Sequence, residues 1–337
     1  MAKRNGSIDV FRYICAVMVI AIHTSPFYDI NEHLGYIATE VLTRIAVPFF
    51  FLTSGFFYIK KLNNDKSASK IYLCRLLKTY AVWSCLYYLV DFLEWGHANL
   101  KGFLAHCVYT FTVTGSYYHF WFFPALIASI CLVTLVYRVG VQKILLPTSI
   151  ILYIIGCLGC SYSAVGQLIP GLSWLYQSDS FLIIRRIFLM GFPFFTAGMA
   201  IEWVKNRIDR MSIRTQVLLL AAVLSWWLLE IAFIKFLGLG DDIIITFGLY
   251  LLTVYVFVFL LMHPGSYGKI AAQCNASAEW TYYVHPIVIV GIQGISGIIG
   301  IEIENTLMFV LTSLIALALH YIFACLNNWF VCKKGNS

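Results

Sequence analysis

The hydrophobic and polar positions of this 337-residue chain alternate in long blocks. Apolar stretches of about twenty residues, the length that crosses a bilayer as a helix, are separated by short polar or turn-rich breaks. The pattern therefore predicts an all-α polytopic membrane bundle of about ten transmembrane helices. They are placed at residues 8–26, 36–59, 71–94, 119–137, 144–161, 181–203, 215–236, 243–262, 280–298 and 305–331.

Composition supports a membrane protein. Hydrophobic residues make up 61% of the chain and charged residues only 12%, whereas roughly a quarter of the residues in soluble domains are charged. The first apolar segment follows a short MAKRNGS head and carries no small-residue cleavage signature, so we expect a retained helix and not a signal peptide. No separate soluble domain is expected, and residues 1–337 are predicted to form a single transmembrane domain.

The basic residues are distributed asymmetrically between the loops. Lys101 and Lys235 are the only basic residues in one set of alternate loops. The opposite set, which includes both termini, holds most of the 23 Lys and Arg residues. By the positive-inside rule, both termini are predicted to be cytoplasmic. This rule also explains the net charge of +7, so no nucleic-acid partner is expected.

Two ionisable residues, Arg12 and His23, lie inside the first apolar segment. Such residues are costly at membrane depth and are functional candidates. Eleven helical steps of about 100° place both side chains on one face, roughly 16 Å apart along the axis. The residues alone leave other roles open, because Arg12 can pair with Asp9 one turn earlier and His23 can serve helix packing.

Several segments resemble the acyltransferase 3 superfamily of integral membrane acyltransferases. Arg12 and His23 fit its R-x10-H pattern, and RIAVPFFFLTSGFF (44–57) resembles its second-helix signature. YHFWFFPAL (118–126) and Tyr283–Pro286 resemble two later elements. The resemblance covers essentially the whole chain. Within that superfamily, these segments are most similar to the membrane domains fused to vancomycin-resistance serine racemases. The cytosolic racemase domain of those proteins is not expected here.

The resemblance implies a reaction and a donor. A neutral imidazole at His23 would act as the general base that takes a proton from an acceptor hydroxyl as it attacks a thioester. Arg12 would hold a phosphate or polar group of acyl-CoA, with acetyl-CoA the expected donor and no metal required. Arg75 and Lys78 would assist donor binding, although anchoring by the positive-inside rule predicts the same basic residues.

The remaining candidates concern the acceptor, which the resemblance implies is an envelope carbohydrate or a lipid-linked glycan. His119 and Trp121 open the fourth predicted helix at the outer surface. Arg44 can pair with Glu40, and Ser54 with its neighbouring glycine allows either close helix packing or a substrate passage. Arg185 and Arg186 lie at the outer end of the sixth predicted helix, where they can pair with Asp179 or meet an anionic ligand.

Some residues receive a structural interpretation. We place His285 in the cytoplasmic half of the ninth predicted helix, next to a proline expected to kink that helix, and interpret it as structural. Cys157 and Cys160 are the only close cysteine pair, and we interpret them as small buried side chains. No paired His, Asp or Glu spacing predicts a metal site.

A rival function uses the same residues without covalent chemistry. As a transport or uptake module for a small amino acid such as serine, the chain would bind a carboxylate and an ammonium group with its buried charges. The sequence shows no evident inverted repeat, which argues mildly against a transporter of the inverted-repeat type. For either function the lipid bilayer is a partner, and a bacterial cytoplasmic membrane is the expected location. The acyl chain, the acceptor and the oligomeric state stay open.

Overall fold

The structure is a computed structural model that describes residues 5–65, 67–95, 100–208, 211–240, 242–265 and 268–335. Within these ranges the chain forms helices and connecting turns and contains no strand. The all-α fold class predicted from the sequence is therefore confirmed.

The helices follow one another along the chain with short connections. They are α1 (Gly6–Thr24), α2 (Glu32–Asn64), α3 (Ala68–Trp95), α4 (Leu100–Tyr109), α5 (Phe122–Val139), α6 (Leu145–Gly159), α7 (Ser163–Gly166), α8 (Pro170–Tyr176), α9 (Phe181–Ile184, Arg185–Gly191 and Phe192–Ile208 in direct succession), α10 (Ile213–Leu237), α11 (Phe247–Met262), α12 (Gly268–Ile299) and α13 (Asn305–Gly335).

Eight helices in the described part of the chain are long and apolar enough to cross a bilayer, namely α1, α2, α5, α6 together with the 3₁₀ turn Gln142–Ile144 that precedes it, α9, α10, α12 and α13. The helix α11 is apolar but shorter, and α3 is long but does not meet the same hydropathy requirement. Each of the ten predicted stretches overlaps one of these helices, but the count of ten membrane spans is not confirmed.

Several boundaries differ from the predicted ones. The helix α12 begins at Gly268 rather than at residue 280, because its first three turns are built of good helix formers such as Ala, Gln and Glu that an apolarity criterion does not detect. The helix α5 begins at Phe122 rather than at residue 119. In the connection 95–118, α4 is followed by a π-helical turn at Thr110–Thr114, which the sequence did not predict.

The chain divides into two compact units. The first consists of Met1–Val47 and Leu260–Ser337, and the second of Pro48–Phe259. The first unit contains α1, the start of α2, α12 and α13. The second contains the remainder of α2 and the helices α3 to α10, followed by most of α11.

In the first unit, α1 begins and ends at well-formed caps. The side chain of Asn5 accepts a hydrogen bond from the backbone N–H of Ile8 and donates another to the carbonyl oxygen of Leu260 at 3.0 Å. At the other end Ser25 adopts a left-handed conformation with φ 47°, and its N–H bonds to the carbonyl of Ala21. These caps satisfy backbone groups that the helix itself leaves unpaired, so the limits of α1 are fixed by sequence.

In the second unit, α2 and α9 approach each other closely at two glycines. A Cβ atom added at Gly55 would lie 1.9 Å from the carbonyl oxygen of Phe195, and one added at Gly198 would lie 1.9 Å from that of Leu52. Small residues allow this backbone approach between membrane helices. The Ser54-Gly55 step therefore serves close helix packing through Gly55, the first of the two alternatives that the sequence left open.

Candidate functional site

Arg12 and His23 belong to the buried face of α1. Ile8, Cys15 and Val19 are buried, and the spacing of three, four and seven residues places Arg12 and His23 on the same stripe. This stripe packs against α12. Arg12 contacts Asn275 of α12, and His23 contacts His285 ten residues later in α12. The two helices therefore run in the same direction.

Arg12 pairs across the helix interface with two residues one turn apart on α12. Its Nη1 donates to the Oδ1 of Asn275, and its Nη2 lies 3.3 Å from the Oε1 of Glu279. The Arg12 side chain is 21% exposed and that of Glu279 is 52% exposed. The Nε of Arg12 is buried and has no hydrogen-bond partner within the described residues. The guanidinium is therefore held in place by Asn275 and Glu279, and its buried Nε–H is left unused within the described residues.

His23 stacks on a second histidine. The ring centroids of His23 and His285 are 5.4 Å apart and the rings are inclined by 19°. His285 is 0% exposed. Its Nδ1 lies 3.1 Å from the carbonyl oxygen of Thr281, and because a carbonyl only accepts, this nitrogen is the donor. The structure thus places a pair of imidazoles at the end of the α1 stripe opposite to Arg12.

The position of His285 next to His23 is the part of this arrangement that the sequence analysis did not predict. The predicted ninth helix began at residue 280, which placed His285 in the cytoplasmic half. In the structure α12 begins twelve residues earlier, at Gly268, and His285 lies near the middle of the helix, at the level of His23. The resemblance of Tyr283–Pro286 to a family element was the available signal, but neither periodicity nor spacing pairs this helix with α1.

The turn after His23 contains unusual backbone. Ser25 and Phe27 have φ of 47° and 69°, and positive φ is a strained conformation for a bulky residue such as Phe. The Phe27 N–H donates to the Oγ1 of Thr306 at 2.8 Å, and the Thr306 hydroxyl donates to Asp29 at 2.5 Å. This hydroxyl lowers the pKa of the Asp29 carboxyl below its ordinary value. The start of α13 thereby holds the turn that follows His23.

Arg44 lies in the first unit and is engaged by its own helix. It forms an ion pair with the carboxylate of Glu40, and its Nε donates to the Glu40 carbonyl oxygen at 2.9 Å. The intervening backbone is π-helical at Ile37–Val41 and 3₁₀-helical at Leu42–Ile45. The local pair that the sequence offered as an alternative is therefore present.

In the second unit, the predicted donor residues lie on the surface of α3. Arg75 and Lys78 are both exposed. On α2, the hydroxyl of Ser54 donates to the carbonyl oxygen of Phe50 at 2.8 Å, a bond within its own helix. The structure does not bring these three side chains into contact with one another.

The aromatic run before α5 contains a buried histidine. His119 is 3% exposed and is surrounded by rings, with the centroid of Phe120 at 3.9 Å and that of Tyr87 at 5.2 Å. Trp121 is half-buried, and the guanidinium of Arg186 lies 5.2 Å above its ring. The structure thus brings Trp121 and Arg186 together, while His119 is enclosed by the aromatic cluster.

Arg185 is neutralised within the second unit. Its Nη1 lies 3.3 Å from the Oδ2 of Asp242 and 3.8 Å from the Sγ of Cys160. The carboxylate partner of Arg185 is thus Asp242, whereas the sequence had offered Asp179 as one of two alternatives. Cys160 and Cys157 are buried, as expected of small packing side chains. In the described part of the chain, no group of three or more His, Cys, Asp or Glu side chains could hold a metal ion.

Comparison with known proteins identifies the class. The acyltransferase domain family matches residues 5–325, and the eight apolar helices make this a multi-pass membrane protein. The chain belongs to this acyltransferase family. No solved structure matches it.

Three curated relatives are named racemases. An amino-acid racemase of Enterococcus faecalis is 29% identical over 323 residues, covering 92% of this chain and 45% of the relative. A serine/alanine racemase of Enterococcus gallinarum is 28% identical over 348 residues, covering 98% of this chain and 48% of the relative. A second amino-acid racemase of Enterococcus faecalis is 34% identical over 173 residues, covering 51% and 24%. The chain thus spans less than half the length of these relatives.

Proposed function

We propose that this chain is an O-acyltransferase that moves an acyl group, most simply acetyl, from cytoplasmic acyl-CoA to a hydroxyl of an envelope carbohydrate or lipid-linked glycan. Residues 1–337 form one transmembrane domain for this reaction. The observation that carries the proposal is the placement of Arg12 and His23 on the face of α1 that contacts α12 in a chain that belongs to an acyltransferase family.

His23 is the general base in this proposal. The hydroxyl of the acceptor attacks the thioester carbonyl carbon while an imidazole nitrogen of His23 takes the hydroxyl proton. The carbon–sulfur bond then breaks, and the departing thiolate receives that proton from the imidazolium. The ester product and the free thiol of CoA leave His23 neutral again, so protons and electrons balance over the cycle.

Arg12 anchors the donor. Its charge is balanced by a partly exposed carboxylate, that of Glu279, which a phosphate can displace because it offers more charge and more acceptor oxygens. The roughly 16 Å between Arg12 and His23 along α1 suits an extended pantetheine arm. Arg75 and Lys78, exposed on α3, supply further positive charge for the donor nucleotide.

The acceptor is assigned to residues of the outer half. Trp121 and Arg186 contact each other and are half-buried, and an aromatic ring beside a cation suits a carbohydrate that carries an anionic group. We assign supporting roles in acceptor binding to Arg44, Ser54, His119 and Arg185. Each of these four is held by contacts with its own unit.

The second candidate is a transport module for a small amino acid such as serine. The relative named a serine/alanine racemase, which this chain covers over 48% of its length, makes serine a candidate for the amino acid carried. In that function Arg12 would bind the carboxylate of the transported amino acid and no acyl group would move.

A thermal-shift experiment with purified protein separates the two candidates. A ligand that binds the native state raises its unfolding temperature, so millimolar CoA is expected to stabilise the wild-type protein, and Arg12→Ala to weaken that effect. Arg214→Ala, at an exposed arginine, is the matched control. Absence of stabilisation, together with uptake of labelled serine by proteoliposomes, would overturn the enzymatic proposal.

The chemical step is tested separately with acetyl-CoA. Hydrolysis of acetyl-CoA, in which water replaces the acceptor hydroxyl and free CoA thiol is released, is expected from wild-type protein and from His33→Ala, which changes an exposed histidine. His23→Ala is expected to reduce the rate by 10²–10⁴-fold, the usual contribution of a general base. An unchanged rate in His23→Ala would rule out His23 as the base.

A further inference from the structure

The pair formed by His23 and His285 has a geometry that goes beyond helix packing. The two rings lie nearly parallel, 19° apart, with centroids separated by 5.4 Å. A cation within about 6 Å of the centroid of a Trp, Tyr or Phe ring and over its face is attracted by the π system, and we extend this attraction to the π face of a neutral imidazole. His23 therefore lies within the range at which a charge on its ring would be felt by the face of His285.

The neighbourhood of His285 keeps its ring in a fixed orientation. The bond from Nδ1 to the carbonyl oxygen of Thr281, one turn earlier on α12, defines the direction of the ring plane. The residue is 0% exposed, and burial away from water penalises a charged ring. His285 thus rests as a neutral, preoriented ring, whereas His23 is only partly buried and is the one of the two that can reach a substrate.

We propose that His285 is a positioning residue whose ring face stabilises the imidazolium formed on His23 during acyl transfer. This inference rests on the proposed function. When the acceptor hydroxyl gives its proton to His23, a positive charge develops on the ring that faces His285. The charge disappears when the thiolate takes the proton. An interaction that exists only while His23 is charged lowers the barrier without tightening donor binding.

Substitutions at His285 test this role through the maximal rate at which acetyl-CoA is hydrolysed by water to free CoA thiol. His285→Leu removes the π face and is expected to reduce kcat roughly two- to thirtyfold, the range of a cation over a ring, with an unchanged KM for acetyl-CoA. His285→Phe keeps a flat aromatic face and is expected to retain most of kcat. The matched control is His320→Leu, because His320 contacts Trp280 on another part of α12.

The outcomes separate this inference from the proposed function. The role of His285 is overturned if kcat falls equally in the Leu and Phe variants, if kcat is unchanged in both, or if only KM changes. None of these results contradicts the role of His23 as general base. If the Leu variant does not purify as a folded protein, His285→Gln provides the comparison without an aromatic ring. If wild-type protein releases no thiol from acetyl-CoA, or His23→Ala releases it at the normal rate, both proposals fail.

Discussion

At the scale of single residues, Arg12 has two possible anionic partners, one of them already present. Glu279 is half-exposed and lies 3.3 Å from the guanidinium, so it competes with any phosphate that binds there. We expect Glu279→Gln to raise the affinity for CoA roughly 1.5- to fivefold, since a partly exposed ion pair contributes about 0.2–1 kcal/mol. Titration of purified protein with CoA, followed by calorimetry, measures this change.

The control for Glu279→Gln is Glu302→Gln, which removes the same charge from an exposed carboxylate elsewhere in the first unit. If Glu279 is purely a structural partner of Arg12, its variant will lose thermal stability and bind CoA no better than the control. A decrease in CoA affinity would likewise contradict donor binding at Arg12.

The hydrogen bond from Thr306 to Asp29 leads us to expect that the stability of the folded protein depends on pH. The Thr306 hydroxyl lowers the pKa of Asp29 in the folded protein, so the folded state favours the ionised carboxylate. The stabilisation is fully present above the unfolded pKa of about 4. It is lost as the pH falls through the lower folded value. We expect Asp29→Asn to lower the unfolding temperature at pH 6 and the difference from wild type to shrink toward pH 3. A difference that is constant across this range would contradict the charge-assisted bond.

At the scale of helices, the sequence predicted which helices exist better than it predicted where each one begins and ends. Apolar stretches located α1 and α2 because lipid exposure requires a continuous apolar surface. The first three turns of α12 escaped detection because polar residues interrupt their apolar ones, and that error displaced His285 relative to His23. Helix pairing was not predictable for a related reason: Asn275, Glu279 and His285 meet α1 through side chains that are distant in sequence.

The approach of α2 to α9 leads to a prediction about packing. Gly55→Ala places a methyl group where the Phe195 carbonyl oxygen lies, and because backbone rather than a flexible side chain must move, we expect a loss of about 1–3 kcal/mol. Gly291→Ala is the matched control, since a Cβ there meets nothing within 4 Å. Thermal unfolding in detergent measures both. Equal unfolding temperatures for the two variants would show that close approach at Gly55 is unimportant.

At the scale of the whole molecule, the sequence predicted the class of protein and the family, and both are confirmed. The candidate site was predicted in part. Spacing along α1 correctly placed Arg12 and His23 on one face, because helical geometry is local. The engagement of Arg44 by Glu40 was likewise foreseeable, whereas the partners Asp242 and His285 depend on tertiary packing that one sequence does not specify.

The orientation of the chain decides from which side a donor can be drawn, and it is testable with one kind of substitution. Lys143 and Lys101 are both exposed, and the positive-inside rule places Lys143 in the cytoplasm and Lys101 outside. In intact cells, a membrane-impermeant maleimide should label Lys101→Cys but not Lys143→Cys, and both should react after permeabilisation. The wild-type chain reports the labelling of native cysteines. The reverse pattern would place Arg75 and Lys78 away from cytoplasmic CoA, because they share the predicted side of Lys143, and a cytoplasmic donor could not then reach them.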